Sequence, residues 1–221
     1  MDEGQVKQGS PEWHAARKGF VTSSAVYRLM TAPKLKADIE AGNLSVGAKT
    51  YVLDMIASEV SMPFDVNVEA TTWGTNYESL ARHFYSQRTG NLVEDAGFIV
   101  SDIDEYGGSP DGIIKAGNGI AEFKCPFNPT NHLKHCLIES PDDLPDAYYW
   151  QIVSNMRVCD ADWCDFVSFD PRIDDELGLF VYRIYREKEI ENEERMIIKV
   201  KKAIEYKHEL KNKLFTRKNS L

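Results

Sequence analysis

The fold of this chain is limited first by three short apolar segments, residues 97–100, 112–115 and 120–125. Their β-branched and aromatic residues favour strands. Glycine-rich stretches at Gly107-Gly108 and Gly117-Asn118-Gly119 separate the segments and favour tight turns. The pattern predicts a small β-meander in the middle of the chain.

Helical and further strand patterns surround this meander. Ser10-Pro11-Glu12 predicts the start of a short helix carrying Arg17, and Thr22 begins a second helix that stops at Ala32-Pro33. Apolar periodicity predicts helices at 46–61, about 72–89, 129–139, 145–159 and about 187–215, with strands at 163–169 and 179–185. Helices around a small mixed sheet predict an α/β sandwich.

The composition favours one globular domain. The chain has 221 residues, 43% hydrophobic and 28% charged, which predicts a single domain over 1–221 with a flexible start at about 1–9. No apolar window is long enough to span a membrane and the first residues lack a signal-peptide core, so we expect a cytoplasmic protein. Four cysteines without a CxxC pair predict reduced thiols rather than a zinc or iron–sulfur site.

The charge distribution leaves the type of partner open. The net charge of −9 opposes nucleic-acid binding, which draws affinity from basic contacts to phosphate. The last 36 residues nevertheless carry +4, which leaves −13 on the first 185. A basic C-terminal helix fits a DNA or subunit contact as well as a solvated amphipathic helix.

An acid at a turn and an acid–apolar–base triplet are the candidate chemical groups. Asp111 lies in a Ser-Pro-Asp-Gly turn, and Glu122-Phe123-Lys124 follows on a short strand. Because strand side chains alternate, Glu122 and Lys124 share one face, and the Phe123 carbonyl stays available as a ligand. Mg²⁺ needs only one or two carboxylates plus phosphate oxygens, and the lysine could orient or deprotonate a water. The same spacing also fits a surface turn followed by an ordinary amphipathic strand.

Two helical residues are further candidates. Glu78 flanks the apolar stripe of the long helix and can face the sheet edge, although an exposed helix glutamate fits equally. Gln151 lies on an aromatic helix face. It is either a structural hydrogen-bond bridge or a group that orients the attacking water.

The N-terminal region contains a candidate anion pocket. Thr22 and Ser24 lie at a predicted helix start, and Arg17 precedes them by one helix. Simple capping by Thr22 with a solvated Arg17 is the alternative. Lys34 and Lys36 could contact a DNA backbone or lie in a solvated loop.

Five ordered blocks closely resemble the lambda-type exonucleases of the YqaJ-type viral recombinase family, in the PD-(D/E)xK nuclease superfamily. The resemblance covers roughly residues 11 to 186. The blocks are Glu12-Trp13-His14 with Arg17 to Ser24, Trp73 to Glu78, Ser109 to Gly112, Glu122 to Phe127, and Tyr149-Trp150-Gln151.

The resemblance implies a fold and a role for each matched position. The fold is α/β with a restriction-endonuclease-like core, a small mixed sheet flanked by helices. Glu78, Asp111 and Glu122, with the Phe123 carbonyl, would bind two Mg²⁺ ions, for which Mn²⁺ substitutes. Lys124 would activate the water and Gln151 would lie beside the scissile phosphate. Arg17, Thr22 and Ser24 would grip a 5′-terminal phosphate.

The implied activity is processive 5′-to-3′ digestion of one strand of linear duplex DNA, leaving a 3′ overhang. The resemblance also implies a homotrimeric ring and a single-strand-annealing protein as partner. A structure- or site-specific endonuclease of the same superfamily would share Asp111, Glu122 and Lys124 but would not need the phosphate pocket. A non-catalytic DNA-binding module would show a broken metal site, whereas all the acids are present.

Overall fold

The computed structural model describes residues 8–61, 69–173 and 175–218. The α-helices are α1 Pro11–Ala16, α2 Tyr27–Met30, α3 Lys36–Glu40, α4 Val46–Val60, α5 Glu69–Thr89, α6 Pro129–His135, α7 Asp146–Cys159, α8 Asp175–Gly178 and α9 Ile190–Lys218. The strands are β1 Val21–Thr22, β2 Ile99–Val100, β3 Tyr106–Gly108, β4 Gly112–Ile114, β5 Gly119–Lys124, β6 Trp163–Phe169 and β7 Leu179–Tyr185. Residues 1–7, most of the expected flexible start, lie outside the described residues.

The strands form two sheets within the described part of the chain. One has the order β4-β5-β6-β7, in which β5 and β6 are parallel and the outer pairs are antiparallel. A parallel pair needs a long crossover, which α6 and α7 supply. The smaller sheet has the order β1-β3-β2.

The predicted sandwich is confirmed by the core. On one face of the four-stranded sheet, Ala81 and Tyr85 of α5 pack with Ala121 and Phe123. On the other face, α7 packs against residues of β5, β6 and β7 in a second apolar cluster. The α/β fold with a small mixed sheet between helices is therefore as expected.

The predicted meander is wrong in one respect. Gly107 and Gly108 were expected to form a turn, but they lie in β3, and β2 pairs with β3 rather than with β4. The glycines permit close packing here: a Cβ on Gly107 would lie 2.6 Å from the Ile99 carbonyl oxygen. These glycines let neighbouring segments pack close to β3. The strands form two separate sheets because β3 pairs with β1 and β2, whereas β4 pairs with β5.

The C-terminal helix has one buried face. Met196, Val200 and Ala203 of α9 are fully buried in a core cluster that includes residues of α4. Lys207 lies on the same face at 1% exposure. The helix is therefore amphipathic, as predicted, with its inner face packed rather than solvated. No helix in the described residues is both long and apolar enough to cross a membrane.

Candidate active site

The strand β5 places its acid and its lysine on the face toward α7. Glu122 is 1% exposed, and the Lys124 ammonium donates a 2.7 Å hydrogen bond to its Oε1. Phe123 points to the opposite face, where its ring lies 5.7 Å from that of Tyr85. The alternation predicted for Glu122, Phe123 and Lys124 is confirmed.

Asp111 lies immediately before β4 and is fastened to β5. Its Oδ2 accepts a 2.7 Å hydrogen bond from the Phe123 backbone N–H. Since β4 pairs with β5 from Gly112 onward, this bond sets the turn acid beside the strand acid. The structure thus brings Asp111, Glu122 and Lys124 together.

Gln151 reaches Glu122 from α7. Its Nε2 donates to Glu122 Oε1, and its Oε1 accepts a 3.3 Å hydrogen bond from the Lys124 ammonium. The side chain therefore bridges the acid and the lysine. Its proposed place beside a scissile phosphate stays a prediction.

Glu78 approaches the site from α5 through an arginine. Arg82, one turn later on the helix, donates to Glu78 Oε1 at 2.9 Å and also to the Asp111 carbonyl oxygen. Glu78 therefore lies near Asp111, as expected for a third acid, but its carboxylate is paired with a guanidinium.

One cavity of about 370 Å³ joins these groups to the N-terminal region. Glu78, Asp111, Glu122, Lys124 and Gln151 line it, together with Ser24. A residue of the predicted phosphate pocket thus opens into the same space as the acids.

Burial and the charge of Asp111 raise the pKa values of the two glutamates in this cavity. Burial raises the pKa of Glu122 to about 8, and the charge of Asp111 adds to the effect. The pKa of Glu78 is also raised, by burial and then by Asp111. Burial alone would lower the pKa of Lys124, but the charges of Glu122 and Asp111 outweigh it and raise that pKa. A cation bound beside these carboxyl groups would stabilise their ionised forms.

The donor set fits a hard divalent cation. Asp111 and Glu122 supply carboxylate oxygens, which suffice for Mg²⁺ when water and phosphate complete its shell. Within the described residues, no three His, Cys, Asp or Glu side chains form a group that could hold a metal ion. With Asp111 and Glu122 as ligands, the rest of a Mg²⁺ shell would be left to water and phosphate oxygens.

Arg17 and Ser24 form the N-terminal pocket. Arg17 Nη2 donates a 3.1 Å hydrogen bond to Ser24 Oγ, and the guanidinium lies 3.8 Å from the centre of the Trp13 ring. Burial lowers the pKa of Arg17 to about 10. Among the described residues, no carboxylate lies within ion-pair distance of Arg17, so this partly buried cation is available to an anion.

The predicted helix start at Thr22 is confirmed in position, because Thr22 is the N-cap residue of a helical turn, but that turn is 3₁₀ and α2 begins only at Tyr27. Val21 and Thr22 form β1, paired with Tyr106 and Gly107, and a single 3₁₀ turn Ser23–Ala25 follows. The Thr22 N–H donates to the Tyr51 hydroxyl at 3.2 Å, and its side chain caps no helix. A single 3₁₀ turn aligns few peptide groups, so its dipole contributes little to this pocket. The guanidinium and the hydroxyls remain, with Thr22 Oγ1 at 3.5 Å from Ser24 Oγ.

The two candidate lysines that follow this pocket in the chain, Lys34 and Lys36, do not line the cavity. Lys34 is exposed in the loop between α2 and α3 and is not among the residues that line the cavity. A DNA contact by Lys34 stays a prediction.

Sequence reasoning missed several residues that support the site. Asn155 donates to Glu122 Oε2 at 3.2 Å, and the Tyr148 ring centre lies 5.0 Å from the Lys124 ammonium. The Trp13 indole N–H donates to Ser109 Oγ at 2.9 Å, which links the Arg17 pocket to the turn before Asp111. Trp13 and Ser109 belong to the blocks that carry the family resemblance, and Asn155 lies one helical turn after Gln151, but none of the three had been given a role.

The fold and this arrangement define the class of protein. An Asp in the turn before β4 and a Glu and a Lys on β5, in a mixed sheet between helices, form the pattern of a PD-(D/E)xK-type nuclease. Residues 12–162 match the YqaJ-like viral recombinase domain. The chain belongs to that family.

Solved structures agree with this assignment. The chain is similar to an alkaline exonuclease, LHK-Exo, from Laribacter hongkongensis, with 31% identity, a TM-score of 0.70, and coverage of 93% of this chain and 100% of that chain. The same values hold for LHK-Exo in complex with dAMP. A phage-related exonuclease from Haemophilus somnus 129PT shares the fold, at 22% identity, a TM-score of 0.71, and coverage of 88% and 96%. No curated protein matches the chain significantly. The family and the LHK-Exo structure indicate an alkaline or recombinase-type exonuclease.

Proposed function

We propose that the protein is a Mg²⁺-dependent 5′-to-3′ exonuclease that digests one strand of linear duplex DNA from a 5′-phosphorylated end, leaving a 3′ overhang for recombination. The observation that carries this proposal is the shared cavity: Ser24, bonded to Arg17, opens into the same space as Asp111 and Glu122. A group suited to a terminal phosphate thus adjoins groups suited to hydrolysis.

Each residue has a task in this proposal. Asp111 and Glu122, with the Phe123 carbonyl, would hold the cations, and Glu78, which is bonded to Arg82, would complete the set. Two bound Mg²⁺ ions, or Mn²⁺ in their place, would stabilise the attacking and leaving oxygens of an in-line displacement. Lys124 orients the attacking water or neutralises charge that develops on the phosphate oxygens, while Gln151 fixes the lysine.

The 5′ end is recognised by Arg17. A guanidinium is suited to phosphate because its planar fork donates two parallel hydrogen bonds. Thr22 and Ser24 add hydroxyl donors. Terminal phosphate contacts of this kind distinguish the proposed exonuclease from an endonuclease with the same acids.

The family resemblance supports two further parts of the proposal. A closed homotrimeric ring around the DNA would make digestion processive by topology. A single-strand-annealing protein would receive the emerging 3′ strand.

The test compares linear duplexes bearing 5′-phosphate or 5′-hydroxyl ends, with closed circular DNA, in Mg²⁺ or EDTA. We expect rapid digestion of phosphorylated linear DNA in Mg²⁺ only. The Arg17→Met variant should lose most of the preference for phosphorylated ends. Arg28→Met is the matched control, because Arg28 also lies over an aromatic ring, that of Tyr51, but is paired with Asp54 at 2.7 Å.

Two results would contradict the proposal. Cutting of the closed circle would favour the endonuclease alternative. Equal wild-type rates on the two kinds of linear end would remove the role given to Arg17, Thr22 and Ser24.

A further inference from the structure

Two amide side chains on α7 hold the Glu122 carboxylate from the same side. Gln151 donates to Oε1, and Asn155, one turn later, donates through Nδ2 to Oε2 at 3.2 Å. Gln151 has a role in the proposed function, on which the following inference rests. Asn155 has no role there.

Asn155 is costly to keep at this position. It is fully buried, and its Oδ1 has no hydrogen-bond partner within the described residues. Buried polar atoms are normally satisfied, and an apolar side chain of the same size would avoid the orphaned oxygen. With the amide turned around, Oδ1 would face Glu122 Oε2 and would repel the ionised carboxylate, which is the form that binds a cation. The N–H directed at Glu122 is therefore the feature that the position serves.

The neighbouring strand is shaped to admit this amide. A Cβ on Gly108 of β3 would lie 2.4 Å from Asn155 Oδ1 and 2.2 Å from Ser23 Oγ. Any residue larger than glycine would displace one of these side chains. The glycine that sequence reasoning assigned to a turn thus makes room for Asn155.

The bonds to Glu122 are distributed unevenly. Oε1 accepts from both Lys124 and Gln151, whereas Oε2 accepts from Asn155 alone. Each carboxylate oxygen offers about two lone-pair sites. Both lone pairs of Oε1 are therefore occupied by hydrogen bonds. Oε2 keeps one lone pair, whose direction is set by the Asn155 hydrogen bond.

We propose that Asn155 is a positioning residue that fixes Glu122 so that Oε2 is presented to a divalent cation. Partners that orient metal-binding carboxylates contribute to metal affinity without contacting the metal. Asn155 acts in this way through its single N–H bond, from the buried side of the carboxylate.

The test measures Mn²⁺ binding to the full chain by titration calorimetry, without DNA, so the readout does not depend on turnover. Asn155→Leu keeps the volume and removes the donor, and Asn155→Ala removes it without overpacking. We expect the affinity for Mn²⁺ to fall by roughly tenfold in both. Ser154→Ala, on the same helix as Asn155, is the matched control. It removes a buried hydroxyl that donates a 2.8 Å hydrogen bond to Ser23 Oγ, and the variant should keep the wild-type affinity for Mn²⁺. Thermal unfolding verifies that each variant is folded, and Asn155→Ala decides the test where Asn155→Leu fails to fold.

Wild-type affinity in a folded Asn155 variant would overturn this inference and leave the proposed function standing. An equal loss in Ser154→Ala would also overturn it, because the effect would then reflect general loosening of α7. Failure of the wild-type protein to bind Mn²⁺ at all would refute the metal-dependent function and, with it, the role of Asn155.

Discussion

Lys207 connects the C-terminal helix to the region that carries the phosphate pocket. Its ammonium donates to the Gly19 carbonyl oxygen at 2.6 Å and pairs with Glu59 at 2.6 Å and Glu105 at 3.1 Å. The Glu105 carbonyl in turn accepts from the Val21 N–H of β1. The buried Lys207 ammonium thus holds Gly19, in the loop that follows Arg17, and also Glu105, whose backbone is bonded to β1 at the end of that loop.

We expect Lys207→Met to destabilise the protein strongly, because methionine keeps the apolar stem but removes the charge. Breaking a buried ion pair by removing one partner costs about 3–5 kcal/mol. Glu59 and Glu105 are 21% and 30% exposed, so water can partly stabilise them and the lower value applies, about 3 kcal/mol. For a chain of this length, that corresponds to a fall in Tm of roughly 6–12 °C.

The assay is thermal unfolding followed by circular dichroism at neutral pH. Lys202→Met is the control on the same helix, because Lys202 bonds only the Gly42 carbonyl among the described residues and no carboxylate. It should lower Tm by less than about 3 °C. A fall for Lys207→Met no larger than that of the control would refute the idea that buried charge pairing holds this loop.

Three other changes have definite expected results. Burial lowers the pKa of His135 to about 4, so the unfolded chain takes up a proton at a higher pH than the folded protein does. The free energy of unfolding should therefore fall by about 2–3 kcal/mol as the pH drops from 6.5 to 4. In His135→Asn, urea unfolding should show a flatter pH dependence. Gly107→Ala should lower the free energy of unfolding, measured in urea, by about 1–3 kcal/mol, because its Cβ would meet the Ile99 carbonyl oxygen. Gly47→Ala within α4, the control, should leave the free energy of unfolding unchanged or raise it. Lys124→Ala should reduce turnover by about two or more orders of magnitude while DNA binding, measured by fluorescence anisotropy, stays nearly intact; retained turnover would remove its catalytic role.

The sequence was sufficient for features that depend on local periodicity. The alternation along β5 correctly separated Glu122 and Lys124 from Phe123, and apolar stripes located α4, α5 and α7. The order of the five sequence blocks indicated the family, which the match over residues 12–162 confirms. These predictions succeed because each depends on neighbours within a few residues.

Features set by distant contacts were not predictable. Gly107 and Gly108 resemble a turn locally, yet they are in β3 because Val21 and Thr22, more than 80 residues earlier, pair beside them. The same pairing makes Thr22 the end of a strand, so the helix expected from Thr22 begins as a 3₁₀ turn at Ser23. Asn155 and Ser109 acquire partners across the fold, Glu122 and Trp13, that no spacing rule connects.

In the proposed function, one cavity both receives a 5′-phosphate and cuts the strand that bears it. The most direct measurement uses a linear duplex with a 5′-phosphate on one strand only, each strand carrying a different 3′ fluorophore, in Mg²⁺. We predict that the phosphorylated strand is shortened stepwise from its 5′ end while the other strand stays full length. Loss of both strands at equal rates, or shortening from the 3′ end, would contradict the account.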